Sequence, residues 1–276
     1  GKLIRVLEDN KDLKEKTETY GFVTKEFIQI NTPSSEKKLN AYVIKPRDFD
    51  PNKEYPLFMH QYGGPGSQKV TDRWDRYNAW FQMLAEKGYI VAVVDNRGTG
   101  GRGEKFKKMT YGELGKYETV DQTEAAEYFA KQSYIDEDRI GIFGWSYGGF
   151  MAANCLFQSN NVFSMAIAVA PVTNWRYYDT IYTERYMGLP QDNAEGYDEN
   201  SPINHVDSLK GDFLLIHGTG DDNVHFQNSI ELAEELIQAN KQFEMHFYPD
   251  KTHGIYGGNT RFHLFTKMTN FIEENL

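Results

Sequence analysis

The 276-residue sequence has little cysteine, no surplus of basic residues and no long apolar run. Cys155 is its only cysteine, which excludes an internal disulfide and a zinc site built on several cysteines. Lysine and arginine number 30 against 40 aspartates and glutamates, so the net charge of −10 argues against a nucleic-acid partner. No apolar stretch approaches the roughly 18 residues that a membrane-spanning helix needs.

What the sequence does contain is typical of a globular protein. Hydrophobic residues make up 39% of the chain and aromatic residues 14%, which is enough to build a core. No repeat or low-complexity linker divides residues 1–276, so we predict a single domain. The chain starts at Gly1 without an initiator methionine, and we expect it to be a fragment of a longer polypeptide. The charged opening, to about Lys16, resembles a tail.

The apolar pattern predicts an α/β fold. Two strand-like runs, 22–30 and 39–44, are separated by turn residues and predict an N-terminal antiparallel hairpin. Six short apolar strands follow: PLFMH, YIVAVV, RIGIF, MAIAVA, DFLLIH and EMHFY. Helical spacing between and after them, over 121–131, 226–240 and 262–276, predicts a mostly parallel sheet with helices on both faces. Residues 171–209 form the longest interruption, which we expect to be functional or locally helical.

The segment GWSYGG, Gly144 to Gly149, follows the strand RIGIF directly. The pattern GxSxG is weak alone, because about one chain in ten of this length contains it by chance. Here a helix-like run, GGFMAANCLF, comes next, and strand, tight turn and helix together expose a serine nucleophile in hydrolases. We therefore favour Ser146 as a nucleophile over a plain glycine-rich strand end.

A nucleophilic serine needs a histidine held by a carboxylate, and in this fold class the chain order is serine, acid, histidine. GTGDDN follows the strand DFLLIH and offers Asp221 or Asp222, between which spacing does not decide. PDKTHG follows the last strand and offers His253, the favoured base. His205 and His225 stay open as alternatives. We expect the remaining candidates to be packed or surface residues: His217, His246 and His263.

Attack of the serine on a substrate carbonyl produces a negatively charged oxygen, the oxyanion, which needs preset hydrogen-bond donors. The backbone N–H of Tyr147 is one candidate, and the glycine-rich loop QYGGPGS offers the Tyr62 hydroxyl, unless Tyr62 only packs over its turn. Tyr178 and Tyr182 are four residues apart, which predicts one face of a helix. Aromatic residues at that spacing more often belong to a core than to a pocket.

Several longer segments resemble the dipeptidyl peptidase IV group of the prolyl oligopeptidase class of serine peptidases. They are QYGGPGSQK, DNRGTGGRG, GWSYGG, AVAPVTNWRYYDTIYTERYMGLP and LLIHGTGDDNVHFQ. The resemblance runs from KLIRVLEDN to the C-terminus. It implies an α/β-hydrolase fold and the removal of N-terminal dipeptides with proline, less often alanine, in second position.

Carried over by position, the resemblance assigns Ser146 as nucleophile, Asp221 rather than Asp222 as the orienting carboxylate, and His253 as base. Tyr62 becomes the side-chain oxyanion donor, and Asn223 would bind a substrate carbonyl. A small apolar pocket for the proline ring would be lined by Tyr147, Val172, Trp175, Tyr178 and Tyr182. This chemistry requires no metal and no organic cofactor.

The resemblance also implies parts that this sequence lacks. Family members carry an upstream β-propeller whose paired glutamates bind the substrate's free amine, and no segment here repeats like propeller blades. Animal members have a disulfide in this domain. The single Cys155 excludes one here, which fits a bacterial-type relative. The resemblance further implies a homodimer through the closing helices and a periplasmic or secreted location. A broader acyl hydrolase or oligopeptidase, or a catalytically silent interaction module, remain as alternatives.

Overall fold

An eight-stranded sheet organises the computed structural model, which describes residues 1–276. Its strands are β1 Glu26–Ile30, β2 Leu39–Ile44, β3 Tyr55–His60, β4 Ile90–Asp95, β5 Ile135–Trp145, β6 Met165–Val169, β7 Asp212–Gly218 and β8 Glu244–Tyr248. They lie in the order β1-β2-β4-β3-β5-β6-β7-β8. β1, β2 and β4 pair antiparallel, and every other pair is parallel. All predicted strands, including the N-terminal hairpin, are confirmed.

The helices cover both faces of this sheet. They are α1 Lys11–Thr19, α2 Asn78–Glu86, α3 Glu104–Lys107, α4 Lys116–Ala130, α5 Tyr147–Gln158, α6 Thr180–Met187, α7 Ala194–Glu199, α8 Gln227–Gln238 and α9 Thr260–Asn275. Phe129 of α4 and Phe150 of α5 belong to the core on one face, whereas Phe81 of α2 and Phe271 of α9 belong to the core on the other. Every residue of β4 and β6 is buried, because helices cover both faces of the sheet. The predicted α/β-hydrolase architecture is confirmed.

Three segments refine the expectations. The opening is not a plain tail, since α1 is helical, yet none of its residues is buried. The 171–209 interruption is locally helical, as expected, and contains α6, α7 and short 3₁₀ turns. In α8 the buried apolar side chains include Leu232 and Leu236, while Ile230 and Ile237 are 43% and 57% exposed. No helix of the structure combines the length and the apolar character needed to cross a bilayer.

Candidate active site

Ser146 occupies a strained turn between β5 and α5. Its φ of 62° and ψ of −121° lie where residues other than glycine are rarely found, at a cost of about 1–3 kcal/mol. The surroundings hold it there, because its N–H donates to the Val169 carbonyl at 2.8 Å and its own carbonyl accepts from the Phe150 N–H at 3.0 Å. The predicted strand, turn and helix are thus present, with the serine at the C-terminal edge of the sheet.

The neighbouring glycines are required by close backbone approach. A Cβ on Gly144 would overlap the carbonyl of Gly148. One on Gly148 would lie 2.8 Å from the Gln61 carbonyl oxygen, and one on Gly149 would lie 2.8 Å from that of Val169. The helix therefore packs closely on the strand end, and Ser146 lies on a tight turn.

Asp221 lies in the turn after β7 and its side chain is completely buried, whereas Asp222 is exposed. Asp221 Oδ2 accepts a hydrogen bond from His253 Nδ1 at 2.7 Å, and Oδ1 accepts from the backbone N–H groups of Asn223 and Val224 at 2.9 and 3.0 Å. Burial acts to raise the pKa of this carboxyl, but hydrogen bonds from His217 and His253 outweigh it and hold the pKa well below its usual range. Asp221 is therefore an ionised carboxylate in direct contact with His253.

His253 lies in the loop after β8, and its side chain is 23% exposed. Its carbonyl accepts a hydrogen bond from the indole Nε1–H of Trp145 at 3.0 Å. Trp145 directly precedes Ser146, so this bond ties the histidine loop to the serine turn. Because Nδ1–H is donated to Asp221, the other ring nitrogen, Nε2, remains available as a proton acceptor.

The loop after β3 brings Tyr62 to the serine turn. Gln61 Nε2 donates to the Gly148 carbonyl at 2.9 Å and fixes this loop on α5. Burial raises the pKa of Tyr62, an effect that an interaction of its hydroxyl with the Ser146 side chain opposes. The phenol therefore keeps its proton at neutral pH and can donate a hydrogen bond.

An aromatic cluster borders Tyr62. The ring centroids of Tyr62 and Tyr147 are 5.9 Å apart, and those of Tyr147 and Trp175 are 5.4 Å apart. Trp175 stacks on Tyr182 at 6.1 Å, and Tyr178 meets Tyr182 edge to face at 5.4 Å. Val172, Trp175 and Tyr147 are buried, whereas Tyr178 and Tyr182 are only half-buried. The five predicted pocket residues thus belong to one region.

The prediction that Tyr178 and Tyr182 share a helix face is wrong. Asp179 accepts the backbone N–H of Tyr182 at 2.8 Å and caps a helix that begins at Thr180. Tyr178 precedes this helix in an extended conformation. Its hydroxyl donates to Asn223 Oδ1 at 2.6 Å, which leaves the amide N–H groups of Asn223, an exposed residue, free to donate.

The other histidines are not part of this arrangement, with one exception. His205 Nε2 lies 2.6 Å from the Glu199 carbonyl, and His225 is exposed. His246 lies in β8 and His263 in α9, with their rings 5.2 Å apart. His217, expected to be a packed or surface residue, is fully buried and contacts Asp221 as well.

Glu118 is a second residue that sequence reasoning missed. It is fully buried on α4, where Oε1 accepts the Tyr147 hydroxyl at 2.6 Å and Oε2 accepts the Gly115 N–H at 3.0 Å. Burial raises the pKa of Glu118 to about 8. The sequence signal was faint, because Glu118 is one of four acidic residues in α4, and spacing alone does not show that Glu118 and Asp121 are the buried ones.

Comparison with known proteins matches most of the chain. The model of the prolyl oligopeptidase family matches residues 75–276. "Probable dipeptidyl-aminopeptidase B" of Arthroderma benhamiae is 44% identical over 257 residues, covering 92% of this chain and 28% of that protein. "Prolyl endopeptidase FAP" of Mus musculus is 42% identical over 283 residues, covering 98% of this chain and 36% of that protein.

A solved structure agrees with the fold as well. The crystal structure of Porphyromonas gingivalis dipeptidyl peptidase 4 superposes with a TM-score of 0.95 at 49% identity, covering 99% of this chain and 38% of that chain. The chain therefore spans only about a third of the length of these relatives.

Proposed function

The chain belongs to the prolyl oligopeptidase family, and we propose that it is the peptidase domain of a serine enzyme that releases N-terminal dipeptides. Its substrates are peptides with proline, or less often alanine, in second position. The observation that carries this proposal is the Asp221–His253 hydrogen bond of 2.7 Å. The hydrogen bond from Trp145 to the His253 carbonyl joins the loop of His253 to the strained Ser146 turn. Names of the relatives, dipeptidyl-aminopeptidase and dipeptidyl peptidase 4, support the reaction type.

In this mechanism Ser146 Oγ attacks the scissile carbonyl while His253 Nε2 takes the hydroxyl proton. Asp221 accepts the Nδ1–H and stabilises the imidazolium that forms. The imidazolium then protonates the leaving amine, which departs and leaves an acyl-enzyme on Ser146. Water, deprotonated by the same histidine, hydrolyses the acyl-enzyme and releases the dipeptide.

Two donors would stabilise the tetrahedral oxyanion. Tyr147 is the first residue of α5, where a backbone N–H has no partner within the helix. The Tyr62 hydroxyl, on the loop that Gln61 fixes to α5, is the proposed second donor. We expect Tyr62→Phe to lower kcat by roughly 10- to 1,000-fold, measured on a Gly-Pro amide, because preset donors act mainly in the transition state. An unchanged kcat would assign Tyr62 to packing alone.

The aromatic cluster supplies the proposed proline pocket. A flat, rigid pyrrolidine ring would lose little conformational entropy when it packs against the cluster of Tyr147, Trp175 and Tyr182, with Val172 and Tyr178 completing the wall. Asn223 has free amide N–H groups beside Tyr178 and would donate to a substrate carbonyl.

The proposal extends beyond the chain itself. The relatives are about three times longer, and from the family resemblance we propose an upstream β-propeller with paired glutamates that bind the substrate's amine. We also propose a homodimer through the closing helices. Ile237 of α8 and Phe262 of α9 are 57% and 79% exposed, and such apolar side chains are suited to a covered interface.

The deciding experiment compares a Gly-Pro chromogenic amide bearing a free amine with its N-acetylated form, using the full-length protein. Cleavage of the first only, abolished by Ser146→Ala, is the expected result. Equal cleavage of both would favour the second candidate, an endopeptidase or broader oligopeptidase, which the 42% identity to a prolyl endopeptidase supports. Activity that survives Ser146→Ala would overturn the proposed mechanism.

A further inference from the structure

Two imidazoles share one carboxylate oxygen in this site. Asp221 Oδ2 lies 2.7 Å from His253 Nδ1 and 3.1 Å from His217 Nε2. His217 lies near the end of β7, and its side chain is fully buried, whereas that of His253 is 23% exposed. Only one of the two rings can therefore meet a substrate, and the other is enclosed behind the carboxylate.

The partners of His217 define its tautomer. Nε2 faces two acceptors, Asp221 Oδ2 at 3.1 Å and the Val224 carbonyl at 2.9 Å, so this nitrogen carries the proton. Nδ1 lies 2.7 Å from the Ser229 hydroxyl on α8, and a hydroxyl can donate to an unprotonated ring nitrogen. A neutral imidazole with Nε2–H satisfies every one of these contacts and needs no buried charge of its own.

From this geometry we propose that His217 is a positioning residue, a neutral donor that holds the Asp221 carboxylate in the orientation His253 needs. The inference rests on the proposed function, since it assigns His217 a role in the same serine site. Asp221 then has four donors: the two ring nitrogens on Oδ2, and the N–H groups of Asn223 and Val224 on Oδ1. Rotation of the carboxylate would break several of them at once.

Removing the His217 donor leaves a buried carboxylate oxygen with a single partner. A buried acceptor that loses a donor incurs a desolvation penalty, and a carboxylate freed to turn no longer fixes the His253 tautomer. The loss falls on the chemical step, because no atom of His217 reaches the substrate. A purely structural role for His217 would instead lower the stability and leave the turnover of folded protein unchanged.

The matched pair His217→Gln and His217→Met separates these roles. The two side chains have similar shape and volume, but only glutamine can place an N–H near the position of Nε2. We expect Met to lower kcat on a Gly-Pro amide by about 10- to 100-fold with KM within about threefold, and Gln to recover most of kcat. His246→Gln and His246→Met, on the adjacent strand β8, are the matched controls and should keep wild-type kcat.

Two assays keep this inference separate from the proposed function. A fluorophosphonate forms a bond from Ser146 Oγ to phosphorus and expels fluoride, which needs the activated serine but no dipeptide recognition. Its inactivation rate should follow the same order, with wild type and His217→Gln above His217→Met. If this order holds but the Gly-Pro amide is not cleaved, the dipeptidyl function fails and the role of His217 stands.

Equal rates in folded His217→Met and wild type would overturn the role of His217 and leave the peptidase proposal intact. Equal losses in Met and Gln variants, both folded by circular dichroism, would also overturn it, since shape rather than donation would then matter. A wild-type protein that neither cleaves nor reacts would overturn both proposals. Ser229→Ala, which removes the hydroxyl that sets the tautomer, should lower kcat by only a few-fold in the same direction.

Discussion

Two carboxyl groups are completely buried beside the Ser146 turn, and their environments drive their protonation in opposite directions. Asp221 has four N–H donors, two from imidazoles and two from the backbone, and its pKa is held well below the usual range. Glu118 accepts hydrogen bonds from one phenol and one backbone N–H. Burial, together with the nearby charge of Asp121, raises its pKa to about 8. Burial alone thus does not decide ionisation, because the number of donors can reverse it.

The difference in ionisation between Asp221 and Glu118 matches the proposed role of each carboxyl group. Asp221 must be ionised to stabilise an imidazolium in the proposed mechanism. Glu118 only has to hold the Tyr147 ring in the proposed pocket wall, which a protonated acid can also do. The site therefore contains a permanent charge where the reaction needs one and a group that titrates near neutrality where it does not.

The largest expected effect comes from removing the charge of Asp221. Asp221→Asn should lower kcat/KM on a Gly-Pro amide by about 10³- to 10⁴-fold, because an amide neither stabilises the imidazolium nor fixes the His253 tautomer. The matched control is Asp222→Asn, on the exposed neighbour, which should keep wild-type activity. If both variants kept it, the contrast between the two buried carboxyls would have no catalytic meaning.

A smaller effect, on stability, should come from Glu118→Gln. The folded-state pKa of about 8 lies above the ordinary value of 4.5, so between these pH values the folded protein holds a proton that the unfolded chain releases. This contribution to the free energy of unfolding falls as pH rises through that window and levels off above about pH 8.

Urea unfolding of wild type and Glu118→Gln at pH 5, 7 and 9 measures this directly. Glutamine has no such proton, so the free energy of unfolding of the variant should gain on wild type by up to a few kcal/mol between pH 5 and 9. Other titrating groups cancel in the difference between the two proteins. A difference that stays constant with pH would mean that Glu118 is ionised throughout, like Asp221.

The smallest effect is expected for Tyr147→Phe, which removes the only side-chain donor to Glu118. The free energy of unfolding should fall by about 1–3 kcal/mol, because a buried acceptor loses its partner. Since the ring is kept, KM for the Gly-Pro amide should change by less than about threefold. A loss of affinity much greater than this would show that the hydroxyl, rather than the ring, defines the pocket.

Much of the fold and part of the site could be predicted from the sequence, because strand ends are local features. Apolar strands followed by turn residues predict that Ser146, Asp221 and His253 lie at one edge of the sheet. The α8 face was less predictable. Its apolar pattern contains Ile230 and Ile237 as well as Leu232 and Leu236, and only packing against the rest of the protein decides which are buried.

The missed residues share a physical reason. Glu118 contacts Tyr147 on a different helix, and His217 contacts Asp221 across the turn that follows β7. The sequence around each residue does not reveal these contacts. Similarly, Asp179 caps the N-terminus of α6, so the helix begins after Tyr178 and does not include it. Residue spacing does not predict where such a cap forms. Residue type and position predict the proposed reacting groups but not the groups that hold them.

The hydrogen bond from Trp145 to the His253 carbonyl joins residues that are 108 positions apart in the chain. Contacts of such separation are costly in loop-closure entropy and slow to form, so they come late in folding. Refolding molecules would regain their helices and most of the sheet while the histidine loop is still undocked. We therefore expect the return of activity to lag behind the return of the circular dichroism signal, because the serine site is complete only when the histidine loop has docked.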